Sequence, residues 1–158
     1  ATFHTPTHGP LGIIMKHDIL WFKTAEPRVR FDLKQITGTV PIIKAYAGMG
    51  IGDGIISLLA PEKIDGVVIE ALGAGNLPPL AAREIKSLMD KGVPVVLVSR
   101  CFNGIAEPVY AYEGGGVKLQ EAGVMFIKEL NAPKARLKLL IALSAGLEGQ
   151  ELKDYIEG

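Results

Sequence analysis

Two uninterrupted apolar runs, each ending in small or polar residues, limit most strongly what this chain can fold into. Residues 66–69 (GVVI) lead to a glycine-rich turn at 73–76 (GAGN), and residues 94–98 (PVVLV) lead to Ser99. Strands buried on both faces of a parallel sheet have this near-continuous apolar character. Open sheets of this kind bind ligands at the carboxyl ends of their strands. The two strand ends therefore predict an α/β fold and the place of its functional site.

The remaining pattern predicts a β-hairpin followed by strands that alternate with helices. We expect the hairpin at 12–23, strands at 41–46, 66–71, 94–98 and 124–127, and helices at 53–59, 80–91, 117–121, 131–146 and near the carboxyl end. Such alternation gives a parallel sheet covered on both faces. The predicted fold class is α/β: a three-layer αβα sandwich with a four-stranded parallel sheet of the flavodoxin or Rossmann type, preceded by a β-hairpin connector. We assign residues 1–39 to the connector and residues 40–158 to the domain.

Charge and composition exclude several classes of partner. The chain has 17 basic and 17 acidic residues, so it has no basic field to attract nucleic acid or anionic membranes. No apolar run approaches the ~20 residues of a membrane span. The single cysteine, Cys101, allows no internal disulfide framework. The sequence does not decide whether the protein is secreted or periplasmic, or cytoplasmic.

The glycine-rich turn at 48–54 is a candidate phosphate site, because it lies between a predicted strand and a predicted helix. Its glycine spacing does not fit a dinucleotide-binding fingerprint, since Asp53 occupies the third glycine position. The carboxylate of Asp53 would also repel a phosphate. A plain tight turn is the simpler interpretation. The alternative function that we keep is a stand-alone flavodoxin-like module that binds a small anion at this turn.

Three further candidates have competing structural explanations. His4 and His8 alone are too few ligands for zinc, so we predict no metal site. Cys101 as a nucleophile needs a base and an orienting group, and a small buried filler is the competing interpretation. Arg100 has the chemistry to bind a carboxylate with two parallel hydrogen bonds, or to form a salt bridge at a domain or subunit interface.

Polar residues after the two strand ends are candidates for binding an amino-acid-like ligand. The side chain of Asn76 can both donate and accept hydrogen bonds. It can equally be a turn residue that bonds its own backbone. Glu107 and Glu113 lie in the loop after the third strand of the sheet, where either carboxylate can meet an ammonium group or remain solvated at the surface.

An ordered set of short motifs resembles the C-terminal half of a bacterial-type L-asparaginase. The set holds its order and spacing across almost the whole chain: GPLG at 9–12, GNL at 75–77, VSR at 98–100, NGI at 103–105, LN at 130–131 and KAR at 134–136. Residues 110–116 (YAYEGGG) resemble a subset of that family with a longer loop here.

The resemblance implies that the catalytic residues are not in this chain. The complete enzymes of that family have a larger N-terminal α/β domain with two catalytic threonines. These lie in a Thr-Gly-Gly-Thr strand end and a His-Gly-Thr-Asp-Thr motif, and an Asp and a Lys assist them. Thr37-Gly38-Thr39 precedes a strand instead of ending one, and His8-Gly9-Pro10 lacks the Thr-Asp-Thr. We therefore expect half an enzyme, made of connector and C-terminal domain and inactive alone.

The resemblance also implies a reaction, a partner and two binding residues. The reaction is hydrolysis of L-asparagine to L-aspartate and ammonia through an acyl-enzyme on threonine, without cofactor or metal. The family forms homotetramers built from intimate dimers, because the C-terminal domain completes the site of a neighbouring subunit. There Asn76 would reach the amino-acid end of the substrate. Glu113 is assigned the second contact, and Glu107 stays its alternative. Preference for asparagine or glutamine is left open.

Overall fold

The computed structural model of the chain describes Thr5 and residues 8–24, 29–50, 52–59 and 61–158. Its elements are β1 (Gly12–Met15), β2 (Asp18–Trp21), β3 (Ile42–Lys44), β4 (Val67–Ala71), α1 (Pro79–Met89), β5 (Val95–Ser99), α2 (Gly116–Glu121), β6 (Met125–Phe126), α3 (Ala132–Ser144) and α4 (Gly149–Glu157). Among these helices, none has both the length and the apolar character that crossing a membrane requires.

The sheet has four parallel strands in the order β3-β4-β5-β6. Alternate residues of β4 face opposite layers: Val67 and Ile69 pack with α1 and α2, whereas Val68 packs with α3 and α4. Because both faces are covered, the strands are buried throughout, which explains their continuous apolar sequence. The predicted α/β fold with helices on both faces of a four-stranded parallel sheet is confirmed.

The sheet register brings the candidate residues to one edge. Ala71, the last residue of β4, pairs with Ser99, the last residue of β5. The turn that carries Asn76 and the loop that carries both candidate glutamates therefore begin side by side. This is the arrangement that the two apolar runs predicted.

The start and end of α3 agree with the sequence signals. The backbone N–H of Lys134 donates to Oδ1 of Asn131 at 3.2 Å, which caps the first turn. Pro133 lies in that turn, where its missing N–H removes no helical hydrogen bond. Gly146 follows the helix with a φ of 79°, the left-handed conformation that commonly ends a helix.

The predicted helix at 53–59 is wrong, because the structure has consecutive turns there and a short 3₁₀ turn at Pro61–Lys63. Gly52 and Gly54 have φ values of 73° and 53°, which are incompatible with a right-handed helix start. The carboxylate of Asp53 does not cap a helix but accepts from the backbone N–H of Gly50 at 2.9 Å. The glycines that suggested a phosphate loop thus prevent the helix that such a loop would need.

The predicted hairpin is confirmed as β1 and β2, which pair antiparallel and turn at Lys16 and His17. Its apolar side chains are largely exposed, for example 79% for Ile14 and 63% for Trp21. A two-stranded sheet with this much exposed apolar surface is marginally stable by itself in water. The hairpin therefore presents an apolar surface that burial against a partner would stabilise.

Two leucines of α3 provide a matched test of the second core layer. Leu139 is fully buried against the sheet, whereas Leu137 on the same helix is 50% exposed. We expect Leu139→Ala to lower the free energy of unfolding by about 2–5 kcal/mol, because it leaves a cavity in the core. Leu137→Ala should lower it by under about 1 kcal/mol. Urea unfolding followed by circular dichroism measures both, and equal effects would contradict the assigned layer.

Candidate functional site

The turn after β4 fixes the position of Asn76. The backbone N–H groups of Gly75 and Asn76 donate to the carbonyl of Leu72 at 3.0 and 2.9 Å, and the N–H of Leu72 donates to the carbonyl of Asn76 at 2.9 Å. Gly75 has a φ of 108°, and a Cβ there would lie 2.9 Å from the Phe126 ring and 3.0 Å from Leu97. The turn therefore rests directly on the core.

The side-chain amide of Asn76 is oriented by a single contact. Its Oδ1 accepts from the backbone N–H of Gly116 at 3.2 Å, so it does not bond its own turn. A backbone N–H only donates, so the atom facing it is the amide oxygen. In the part of the chain that the structure describes, the other amide atom, Nδ2, has no hydrogen-bond acceptor. The half-buried side chain is thus left with a free donor.

The loop from Cys101 to Gly116 is bound to this turn by backbone contacts. The N–H of Glu107 donates to the carbonyl of Ala74, and the N–H of Leu77 donates to the carbonyl of Gly114, both at 2.8 Å. Gly114 has a φ of 89°, and a Cβ there would collide with the Leu77 carbonyl. This close approach explains why the loop ends in glycines.

Both candidate glutamates lie beside the turn, and each carboxylate is paired with its own cation. Oε1 of Glu113 is 2.6 Å from Nε of Arg83 on α1. The hydrogen bond from Arg83 holds the pKa of Glu113 below its ordinary value. Oε1 of Glu107 is 2.7 Å from Nζ of Lys128, after β6. The choice of Glu113 over Glu107 remains a prediction.

Arg83 is a residue of this region that the sequence analysis missed. It is 30 positions from Glu113 in the chain, so no local pattern connects the two. It helps to line a cavity of about 260 Å³ between α1 and α2, with Glu113, Lys86 and Lys118 among the other lining residues. The hydrophobic part of that lining includes Ala82 and Leu119.

Residues that follow β5 have mainly structural contacts. Oγ of Ser99 donates to the carbonyl of Gly73 at 2.6 Å, which joins the two strand ends. Arg100 donates from Nη1 to the carbonyl of Ala45 at 2.9 Å, so it ties β5 to the end of β3. Cys101 is exposed, which contradicts its interpretation as a buried filler.

The turn at 48–54 holds an acidic group where an anion would bind. Asp53 accepts from the Tyr46 hydroxyl and from the Gly50 N–H. The hydrogen bond from Tyr46 is the main cause that lowers the pKa of Asp53. A charged carboxylate and the missing helix N-terminus both disfavour the small-anion alternative.

The histidines form no metal centre that the structure describes. Nε2 of His8 is 3.7 Å from a carboxylate oxygen of Glu129, and His4 lies outside the described residues. Within the described ranges, no group of three or more His, Cys, Asp or Glu side chains is placed to hold a metal ion. The chemistry that this region offers is therefore hydrogen bonding and charge.

Comparisons with known proteins agree on one family. Residues 39–156 match the model of the glutaminase/asparaginase C-terminal domain. The chain is 42% identical over 149 residues to a probable L-asparaginase of Deinococcus radiodurans, covering 92% of this chain and 44% of that protein. It is 30% identical over 142 residues to an L-asparaginase of Bacillus licheniformis, covering 89% of this chain and 43% of that protein.

Solved structures agree with the sequence matches. L-asparaginase I of Vibrio cholerae superposes with a TM-score of 0.72 at 25% identity, covering 98% of this chain and 47% of that chain. The chain spans less than half the length of these relatives. The match of the C-terminal domain model to most of the chain decides the assignment. This chain belongs to the glutaminase/asparaginase family and carries its C-terminal domain.

Proposed function

We propose that this chain is the substrate-binding half of an L-asparaginase, which hydrolyses L-asparagine to L-aspartate and ammonia. The observation that carries the proposal is the oriented amide of Asn76, with Oδ1 bound to Gly116 and Nδ2 free to donate. The site needs no cofactor, because amide hydrolysis here requires only a nucleophile, a water molecule and groups that bind the substrate.

The free donor of Asn76 selects which end of the amino acid it contacts. A free amino acid carries an α-carboxylate, which accepts hydrogen bonds, and an α-ammonium, which donates them. Because the Gly116 N–H occupies Oδ1, Asn76 presents a donor, so its partner is the carboxylate. Hydrogen bonds to a charged acceptor are stronger than neutral ones. Asn76 therefore anchors the substrate by its α-carboxylate.

Glu113 supplies the complementary contact to the α-ammonium group. Its neighbour Gly114 accepts from Leu77, the residue after Asn76, so the two loops are in contact at this point. The lowered pKa of Glu113 favours the charged carboxylate that an ammonium group requires. Glu107 contacts the turn at Ala74, before Asn76 in the chain, and remains the alternative for this role.

The nucleophile comes from an N-terminal domain that this chain does not supply. A threonine hydroxyl there attacks the side-chain amide carbon of asparagine, ammonia leaves, and water hydrolyses the acyl-enzyme. Thr37 and Thr39 are poor candidates for this role. The N–H of Thr39 donates to Asp65, just before β4 begins, at the edge of the sheet opposite to Asn76.

Two surfaces support the partners in this proposal. The exposed apolar side chains of the β1–β2 hairpin fit burial against the N-terminal domain of the same subunit. The Asn76 edge of the sheet then faces the N-terminal domain of a neighbouring subunit, which makes a dimer the smallest active unit. We propose a homotetramer built from two such dimers, a closed symmetric assembly of the usual kind.

Ammonia release from L-asparagine tests the proposal. We expect none from this chain alone and clear release when it is mixed with the N-terminal half of its own enzyme. Activity of this chain alone would contradict the absence of a nucleophile. An inactive mixture in which the two halves demonstrably bind would contradict the proposed substrate.

A further inference from the structure

We propose that Arg83 is a positioning residue of the substrate site, which holds the Glu113 carboxylate in place beside the Asn76 turn. This inference rests on the proposed role of Glu113 in binding the substrate ammonium group. It assigns a role to a residue of α1 that does not itself touch the substrate.

Arg83 has a fixed place relative to Asn76. The helix α1 begins at Pro79, directly after the turn. Ala81 and Ile85, two positions before and after Arg83 in this helix, are buried in the core. The backbone of Arg83 is therefore anchored on the same core that supports the turn. From that position Nε of Arg83 donates to Oε1 of Glu113 at 2.6 Å. Two side chains from distant parts of the sequence thus meet at one end of the cavity between α1 and α2.

The ion pair leaves half of the carboxylate available. Arg83 bonds Oε1 of Glu113, and within the described residues Oε2 has no hydrogen-bond donor. An ionised carboxylate accepts at both oxygens, so Oε2 can still receive a hydrogen bond from an ammonium group. The contact therefore restricts the orientation of the carboxylate and leaves Oε2 available to bind an ammonium group.

Apart from Arg83 and Glu113, the charged residues that line this cavity are two lysines. Lys86 on α1 pairs with Asp90 at 3.1 Å, and Lys118 on α2 pairs with Glu121 at 2.7 Å. Of the three cations lining the cavity, Arg83 is the one bonded to Glu113. The hydrogen bond from Arg83 is the first cause of the lowered pKa of Glu113. Lys86 is therefore a matched control: a cation of the same helix and cavity, paired elsewhere.

The test compares Arg83→Gln with Lys86→Gln in the enzyme assembled with its N-terminal half. We expect Arg83→Gln to raise KM for L-asparagine about threefold to fivefold, because an exposed ion pair contributes modestly. The value of kcat should stay unchanged, since Arg83 does not touch the reacting amide. Arg83→Lys should recover part of the lost affinity. Lys86→Gln should leave both constants unchanged.

The pH dependence separates positioning from a general loss of stability. A lowered pKa keeps Glu113 charged to lower pH, so ammonium binding is lost only as the pH falls through that value. Arg83→Gln removes the hydrogen bond that lowers the pKa of Glu113. KM should therefore begin to rise at a higher pH than in the unmodified enzyme. Carboxyl titration of Glu113 by NMR in this chain should shift in the same direction.

Glu113→Gln distinguishes failure of this inference from failure of the proposed function. If Glu113→Gln raises KM and Arg83→Gln does not, only the positioning role of Arg83 is wrong. If Glu113→Gln leaves KM unchanged, the role of Glu113 fails and the inference about Arg83 fails with it. An Arg83→Gln variant with a lower KM would also overturn the inference, because it would make Arg83 a competitor of the substrate.

Discussion

Asn76→Asp is expected to lower kcat/KM for L-asparagine by a factor of about 100 or more in the assembled enzyme, without loss of folding stability. The substitution keeps an oxygen for the Gly116 N–H, so the turn and the loop remain joined. It replaces the free NH₂ donor by a second carboxylate oxygen. Loss of a hydrogen bond to a charged group weakens binding about 10- to 100-fold, and repulsion of the substrate carboxylate adds to that loss.

Steady-state kinetics together with thermal unfolding measure the two parts of this expectation. Gln120→Glu is the matched control, because it makes the same chemical change on an exposed residue at the far end of α2. Asn76→Ala should reduce kcat/KM as well, and should also destabilise the chain because it leaves the Gly116 N–H without its acceptor. Unchanged kcat/KM in Asn76→Asp would refute the role assigned to the amide.

Gly75→Ala is expected to lower the free energy of unfolding by about 2–6 kcal/mol. The φ of 108° at Gly75 disfavours any side chain, and the new Cβ would press on Phe126 and Leu97 in the core. Backbone strain and overpacking each contribute about 1–3 kcal/mol. Because the turn must shift to relieve the contact, the assembled enzyme should also lose affinity for its substrate.

Gly73→Ala in the same turn separates packing from backbone strain. Gly73 also has a positive φ, of 52°, but a Cβ there would meet no atom within 4 Å. It should therefore lower the free energy of unfolding by only about 1–2 kcal/mol. Urea unfolding of both variants measures the difference. Equal losses would mean that the turn does not rest on the core as described.

The layers of the fold were predictable because their signals are local in the sequence. The apolar runs at 66–69 and 94–98 identify buried strands, and Asn131 followed by Pro133 identifies a helix start. The segment 53–59 could not be predicted in the same way. Its apolar residues fit a helix, but the glycines at 52 and 54 adopt left-handed conformations that only the packed turn reveals.

The candidate site was predictable in place but not in its contacts. The position of Asn76 follows from its location just after a strand that is buried on both faces. The orientation of its amide depends on Gly116, 40 positions away, and the pairing of Glu113 depends on Arg83, 30 positions away. Contacts at such separations have no periodic signature, so the sequence indicated the residues and the structure defined their partners.

Complementation between two inactive subunits tests the central claim that Asn76 acts on the site of a neighbouring subunit. One full-length variant carries Asn76→Asp, and the other lacks the nucleophilic threonine of the N-terminal domain. In a mixed dimer, one site combines the intact threonine of the first subunit with the intact Asn76 of the second. We predict that co-assembly restores ammonia release to about a quarter of the unmodified rate, because half of the dimers are mixed and each has one complete site. No recovery in demonstrably mixed dimers would contradict the claim and place Asn76 in the site of its own subunit.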